Sequence, residues 1–151
     1  VNGTLASTKP LVYGGNVIND FVLKFEKGRI VDFTAKEGEE TLKHLIETDE
    51  GSHYLGEIAL VPYSSPISDT NTVFYNTLYD ENASCHFAIG SAYSSCIEGG
   101  NDIKAEDFDK YGINDSLTHV DFMVGSADLD IVGITHDGEK IQIFKDGNWA
   151  F

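Results

Sequence analysis

One hundred and fifty-one residues suffice for a single domain with its own core, and 41% hydrophobic with 23% charged residues is a globular composition that excludes a disordered chain. A formal net charge of −15, from 25 acidic against 10 basic side chains, argues against nucleic acid and anionic membrane surfaces as partners. No apolar run approaches the roughly 18 residues of a membrane span, and two cysteines, Cys85 and Cys96, without CxxC spacing make no disulfide framework, so a reduced, cytoplasmic protein is expected.

The opening Val1-Asn2-Gly3-Thr4 carries neither an initiator Met nor a signal peptide, which is the expectation for a fragment or a processed product. Leu11-Val12-Tyr13 leads into the turn-forming Gly14-Gly15-Asn16. Residues 17–25 partly alternate, Glu26-Lys27-Gly28 is a turn, and 29–33 return, which together predict a hairpin. Glu37 to Glu47 places Leu42, Leu45 and Ile46 on one face of a short helix, with Gly51 as its stop. Glu37, Glu39, Glu40, Glu47, Asp49 and Glu50 read as a solvated acidic face and loop. Leu55 to Val61, ended by Pro62, predicts a short buried strand, and 62–72 a loop.

Val73 to Tyr79 is ambiguous between strand and helix, and Asp80 is a candidate helix cap. Ser84 to Tyr93 reads as a strand with His86, Ala88 and Gly90 on one face and Phe87, Ile89 and Ser91 on the other. Glu98 to Asp109 is acidic and holds a helical turn. From His119 onward three β runs follow, at 122–124, 129–134 and 140–144, with Asp-Gly turns at 136–139 and 145–148. Trp149 is expected to be a packing anchor. One α+β domain with a mainly antiparallel or mixed sheet and a few short helices is the predicted fold.

The chemistry concentrates in three clusters. Gly56-Glu57, Asp80-Glu81-Asn82-Ala83-Ser84-Cys85-His86 and His119-Val120-Asp121 supply carboxylates and imidazoles, a donor mix that suits Zn, Co, Mn or Fe in hydrolytic sites. His119 and Asp121, two apart on a strand, point to one face. Glu81 and His86, five apart, converge only through a turn. Each cluster also has a plainer reading, as a wet strand end or a polar loop. His44 in the helix and His136 in a turn read as solvated, and His53 has no assignment. No GxSxG elbow, GxGxxG or P-loop is present.

Gly56-Glu57-Ile58-Ala59-Leu60-Val61-Pro62-Tyr63, Ser65-Pro66-Ile67-Ser68, the run from Phe74 to His86, His119 to Gly125 and the closing Asp146-Gly147-Asn148-Trp149 resemble the M29 metallo-aminopeptidases, in that family's order and over essentially the whole chain. The resemblance implies a two-metal exopeptidase acting on the N-termini of peptide substrates, with Glu57, Glu81, His86, His119 and Asp121 at metal-ligand positions and Tyr93 as a tyrosine that assists catalysis. It implies divalent ions, two in the full-length enzyme, drawn from Zn, Co, Mn or Mg. It also implies a further metal-binding glutamate in an upstream Thr-Glu-Glu segment and an N-terminal domain, neither of which this sequence contains. Residues 1–151 are thus expected to be the C-terminal catalytic, metal-binding domain and by themselves an incomplete site, with an exposed apolar surface and a homodimer as the candidate assembly. Simple alternation would turn Tyr93 away from His86, so its role requires a bend, with Gly90 as the place for it. Two other function classes remain open: a non-catalytic, acidic, β-rich binding domain and a divalent-metal hydrolase of another kind.

Overall fold

The computed structural model describes all residues, 1–151, as an α+β fold of three small sheets in which every strand pair is antiparallel. The chain runs β1 (Gly3–Ala6), β2 (Leu11–Tyr13), β3 (Asn16–Glu26), β4 (Arg29–Glu37), α1 (Glu39–Ile46), β5 (Leu55–Ala59), α2 (Thr77–Asp80), β6 (His86–Gly90), α3 (Phe108–Tyr111), β7 (His119–Met123), β8 (Ile131–Ile134), β9 (Lys140–Lys145) and β10 (Asn148–Trp149). Short 3-10 turns fill the connections.

The predicted hairpin forms and is longer than the sequence pattern suggested, because β4 continues to Glu37 against β3. Lys27 and Gly28 both have positive φ, 51° and 88°, the turn type that matches the twist of paired strands. The inward residues of β3 step by three, from Ile18 to Phe21, where Asp20 takes φ 48°; this breaks the alternation that the sequence shows only in part. The β1 and β2 strands share one edge of β3, and β4 takes the other.

Helix α1 buries Leu42, Leu45 and Ile46, as its periodicity predicts. It ends at Ile46, one residue short of the predicted Glu47, where the Ser52 hydroxyl donates to the Ile46 carbonyl at 2.8 Å and turns the chain. Glu39 and Glu40 lie in its first turn, favourable to the helix dipole. Asp49 departs from the solvated acidic face expected of it. It accepts from Ser52 N–H at 2.8 Å, Ser116 Oγ at 2.8 Å and Leu117 N–H at 2.6 Å, tying the end of the helix to the approach of β7.

A core of twelve side chains joins the first sheet, α1 and the sheet β5–β6–β7. Phe21, Leu23 and Phe25 of β3 meet Ile89 of β6 and Val120 and Phe122 of β7. Phe122 is fully buried, with ring centroids 5.4 Å from Phe21 and 6.3 Å from Phe87. A further tie is polar: Thr8 donates its N–H to the Met123 carbonyl at 2.9 Å and its hydroxyl to the Gly125 carbonyl at 2.8 Å.

Two further expectations, on β5 and Asp80, fail in the structure. The β5 strand is an edge strand and not a buried one: Ile58 is 58% exposed, because nothing covers that side of the sheet's rim. Asp80 does not cap a helix N-terminus. It lies buried at the end of α2 and accepts from the N–H groups of Phe74 (2.9 Å) and Asn76 (3.0 Å), while Asn76 is the cap, accepting from Leu78 N–H at 3.1 Å. The ambiguous 73–79 run is therefore a loop held by a buried carboxylate and closed by one helical turn. Trp149 packs edge-on against the buried Phe144, with centroids 4.5 Å apart, yet remains partly exposed. No disulfide forms: Cys85 is buried, with its thiol directed at the Val61 carbonyl (3.3 Å), and Cys96 is exposed. No helix is long and apolar enough to cross a membrane.

Two expected outcomes follow from this packing. Phe122→Ala should lower unfolding free energy by about 3–5 kcal/mol, the range for truncating a fully buried aromatic, measured by urea titration; a loss below about 1 kcal/mol would mean that the two sheets do not share a core. The second concerns acid. Backbone and side-chain donors around Asp49, led by Leu117 N–H, hold its carboxyl below the usual carboxylate range. Its stabilising contribution is then present above the unfolded-state value and is lost as pH falls through the lower folded one. Asp49→Asn should therefore flatten the fall of melting temperature on acidification, and an unchanged slope would remove Asp49 as the cause.

Candidate metal centre

The sheet β5–β6–β7 has one apolar face and one polar face, and β6 lies in the middle. Phe87 and Ile89 of β6, with Val120 and Phe122 of β7, point into the core. The opposite face carries His86, Ala88 and Gly90 from β6 and His119 and Asp121 from β7. Strand pairing sets these in rows: Ala59, His86 and Met123; then Glu57, Ala88 and Asp121; then Gly90 and His119.

Glu57 reaches this face because of a bulge. Leu55 pairs with Ile89 and Glu57 with Ala88, so Gly56 is the extra residue, and two side chains that alternation would place together point to opposite faces. A side chain at position 56 has no room: its Cβ would lie 2.2 Å from the Ser91 carbonyl oxygen. The small side chains of Ala88 and Gly90 then let groups from the two outer strands meet above the central one.

They do meet. One ligand atom each from Glu57, His86 and Asp121 lie within 4.8 Å of one another. His86 Nε2 is 3.3 Å from Glu57 Oε1. His119 Nε2 is 3.5 Å from both Glu57 Oε2 and Asp121 Oδ1. His86 and Asp121 are buried, Glu57 and His119 partly so. Glu81 arrives from the 3-10 turn 81–83 after α2, which packs on β7. Its carboxyl is pushed above the usual range, first by burial and then by the negative charge of Asp121, with His86 acting in the opposite sense and Glu57 adding to the rise.

The two imidazoles are oriented from behind. His86 Nδ1 bonds the Ser84 carbonyl at 3.2 Å, and His119 Nδ1 bonds the Ser91 carbonyl at 2.7 Å. A carbonyl can only accept, so Nδ1–H is the donor in each of these bonds, and Nε2 is the atom that each ring turns toward the carboxylates. Three crowded carboxylates and two imidazole nitrogens form a set that attracts a cation and is unfavourable without one. The residues therefore fit a divalent metal.

All five ligand candidates of the sequence reading thus come to one place. Tyr93 comes too, by a route alternation does not give. The β6 strand ends at Gly90, with φ 102°, and the chain turns so that the Tyr93 ring lies 4.8 Å from that of His119. His44 pairs only with Glu40 on the surface, and His136 is exposed. His53 Nδ1 is buried without a partner, away from the cluster. Sequence reasoning placed Ala88 on the His86 face and marked the Gly56-Glu57 pair, and missed the bulge at Gly56 and the carbonyls of Ser84 and Ser91. A cavity of about 550 Å³ opens elsewhere, between Gly28, Tyr54 and Asn114, and carries no convergent ligand set.

A family model described as thermophilic metalloprotease (M29) matches residues 1–149. The chain belongs to the M29 metalloprotease family. Among M29 relatives, it is 64% identical over 151 residues to aminopeptidase AmpS of Bacillus subtilis (strain 168) and 59% identical to aminopeptidase 2 of Geobacillus stearothermophilus. It matches aminopeptidase T of Thermus thermophilus at 43% identity over 150 residues. The solved structure of wild-type AmpT from that organism superposes with a TM-score of 0.91 over 99% of this chain. The chain spans only 36–37% of the length of these M29 proteins.

In the metal-free protein, Glu81→Gln should raise the melting temperature by a few degrees, since it removes one of three crowded carboxylates. A clear fall would identify Glu81 as a structural group.

Proposed function

We propose that residues 1–151 form the C-terminal, metal-binding domain of a longer two-metal aminopeptidase that releases N-terminal residues from peptides. The observation that carries this is the convergence of Glu57, His86 and Asp121 with His119 under fixed imidazole orientation, in a chain whose relatives bear the name aminopeptidase. Glu57, Glu81, His86, His119 and Asp121 are the proposed ligands, for Zn, Co, Mn or Mg. A further glutamate from outside this chain completes the site. Bound ions would supply Lewis acidity and an acidified water for attack on the scissile carbonyl.

The chain's own residues divide the remaining work. Glu57 lies between His86 and His119 and spans the space above Ala88, so one carboxylate can serve two positions. His86 and His119 present Nε2 and keep their Nδ1 protons on backbone carbonyls. Tyr93 is largely exposed, with its ring held by His119, and its hydroxyl makes no hydrogen bond within the protein; it is free to donate to the oxygen of the reacting carbonyl. The fixed imidazoles weigh against a non-catalytic acidic binding domain, whose histidines would need no orientation. A cytoplasmic peptide-processing role and a homodimer belong to the same proposal.

In the longer protein, His86→Ala should abolish hydrolysis of an unblocked peptide while circular dichroism stays native, and N-acetylation of the peptide should also abolish it. A chelator should remove activity, and Zn, Co, Mn or Mg should restore it. Tyr93→Phe should lower kcat/KM about 100-fold or more, the scale for losing one donor to a developing oxyanion. Full activity of His86→Ala would reject the ligand set, and cleavage of the acetylated peptide would point to the other class of metal hydrolase.

A further inference from the structure

We infer that Asn114 is a positioning residue for His119, acting through the strap of residues 90–92. The inference rests on the metal-site reading above. His χ2 is a broad torsion, so the rotamer alone does not aim the imidazole. The aim comes from the Ser91 carbonyl, which receives the Nδ1 proton at 2.7 Å. Ser91 lies just past the end of β6, where the ladder no longer holds the chain. Unladdered segments of this kind open at low free energy unless other bonds close them.

Here other bonds do. Gly90 N–H donates to the Tyr54 carbonyl at 2.9 Å and Ser91 N–H to the Thr118 carbonyl at 2.7 Å. Ala92 N–H donates to the main-chain carbonyl of Asn114 at 2.8 Å. The side chain of the same residue donates to the Gly90 carbonyl at 2.6 Å and to the Gly51 carbonyl at 2.8 Å. Asn114 thus grips the strap on both sides of Ser91 and anchors it to the turn after α1. A carboxamide suits this position, because both of its N–H protons find a carbonyl. An aspartate there would set an acceptor against two acceptors. Gly56 closes the other side of the strap, since any Cβ at that position would strike the carbonyls of Ser91 and Gly90.

The test uses this chain and the longer protein, with Co²⁺ alone as the probe. In Asn114→Ala and Asn114→Asp, Co²⁺ affinity should fall about 3–10-fold, less than the roughly 10–100-fold for removing an outer-shell partner outright, because the Ser91 carbonyl stays and is only loosened, and the visible Co²⁺ spectrum should change. In the metal-free protein, histidine nitrogen NMR should show the neutral His119 ring passing from the single Nδ1–H tautomer to a mixture. A control, Leu45→Val in the core face of α1, should lower stability and leave both readouts unchanged. Should Asn114→Ala fail to fold, Asn114→Ser retains one donor and carries the same readouts. An unmixed Nδ1–H tautomer with Co²⁺ affinity within about twofold of the parent would overturn the inference, since the Ser91 carbonyl would then hold His119 without Asn114. If the unsubstituted protein binds no Co²⁺, the metal-site reading fails, while the tautomer measurement still decides the role of Asn114.

Discussion

The apolar layer of Ile89, Val120 and Phe122 behind β6 and β7 holds the polar face in front of it. A strand shows its side chains to two sides in turn, so fixing one side fixes the other. With Phe122 locked between Phe21 and Phe87, Asp121 has no choice of direction. With Ile89 buried, Ala88 and Gly90 must floor the cluster. The hydrophobic driving force thus sets the orientation of charged groups that would otherwise repel one another, and a packed core transmits that constraint with little give.

That arrangement is unfavourable for the metal-free fold. Glu57, Glu81 and Asp121 lie together, Asp121 buried and the other two partly so, and Glu81 shows the effect in its raised proton affinity. Residues chosen for stability alone would not be placed so. The strain is local, and the remainder of the chain follows ordinary rules: apolar helix face inward, positive-φ turns at the hairpins, and exposed salt links such as Lys145 with Asp130. A rule broken in one place and kept elsewhere marks that place as functional.

The backbone contributes as much as the ligands. Two carbonyls, of Ser84 and Ser91, decide which imidazole nitrogen faces the carboxylates. One inserted residue, Gly56, moves Glu57 from the core side to the site side. Such features depend on main-chain path, and a list of reactive side chains does not contain them.

The sequence by itself determined the fold class, the hairpins, the apolar face of α1 and the shared face of His119 and Asp121, because those depend on local periodicity, which residue order encodes directly. It also singled out the residues of the cluster through motifs matched to a family. It misjudged β5, Asp49 and Asp80. Burial of β5 depends on what covers it, and the roles of the two carboxylates depend on N–H groups whose positions are set by folding. Only the tertiary structure decided that Glu57, from a third strand, joins His86 and His119, and that Tyr93 turns back at Gly90 to reach His119. Residues 57 and 121 meet because strand order β5–β6–β7 brings them to either side of Ala88. Strand order is a property of packing and pairing over long separations, and no local pattern carries it.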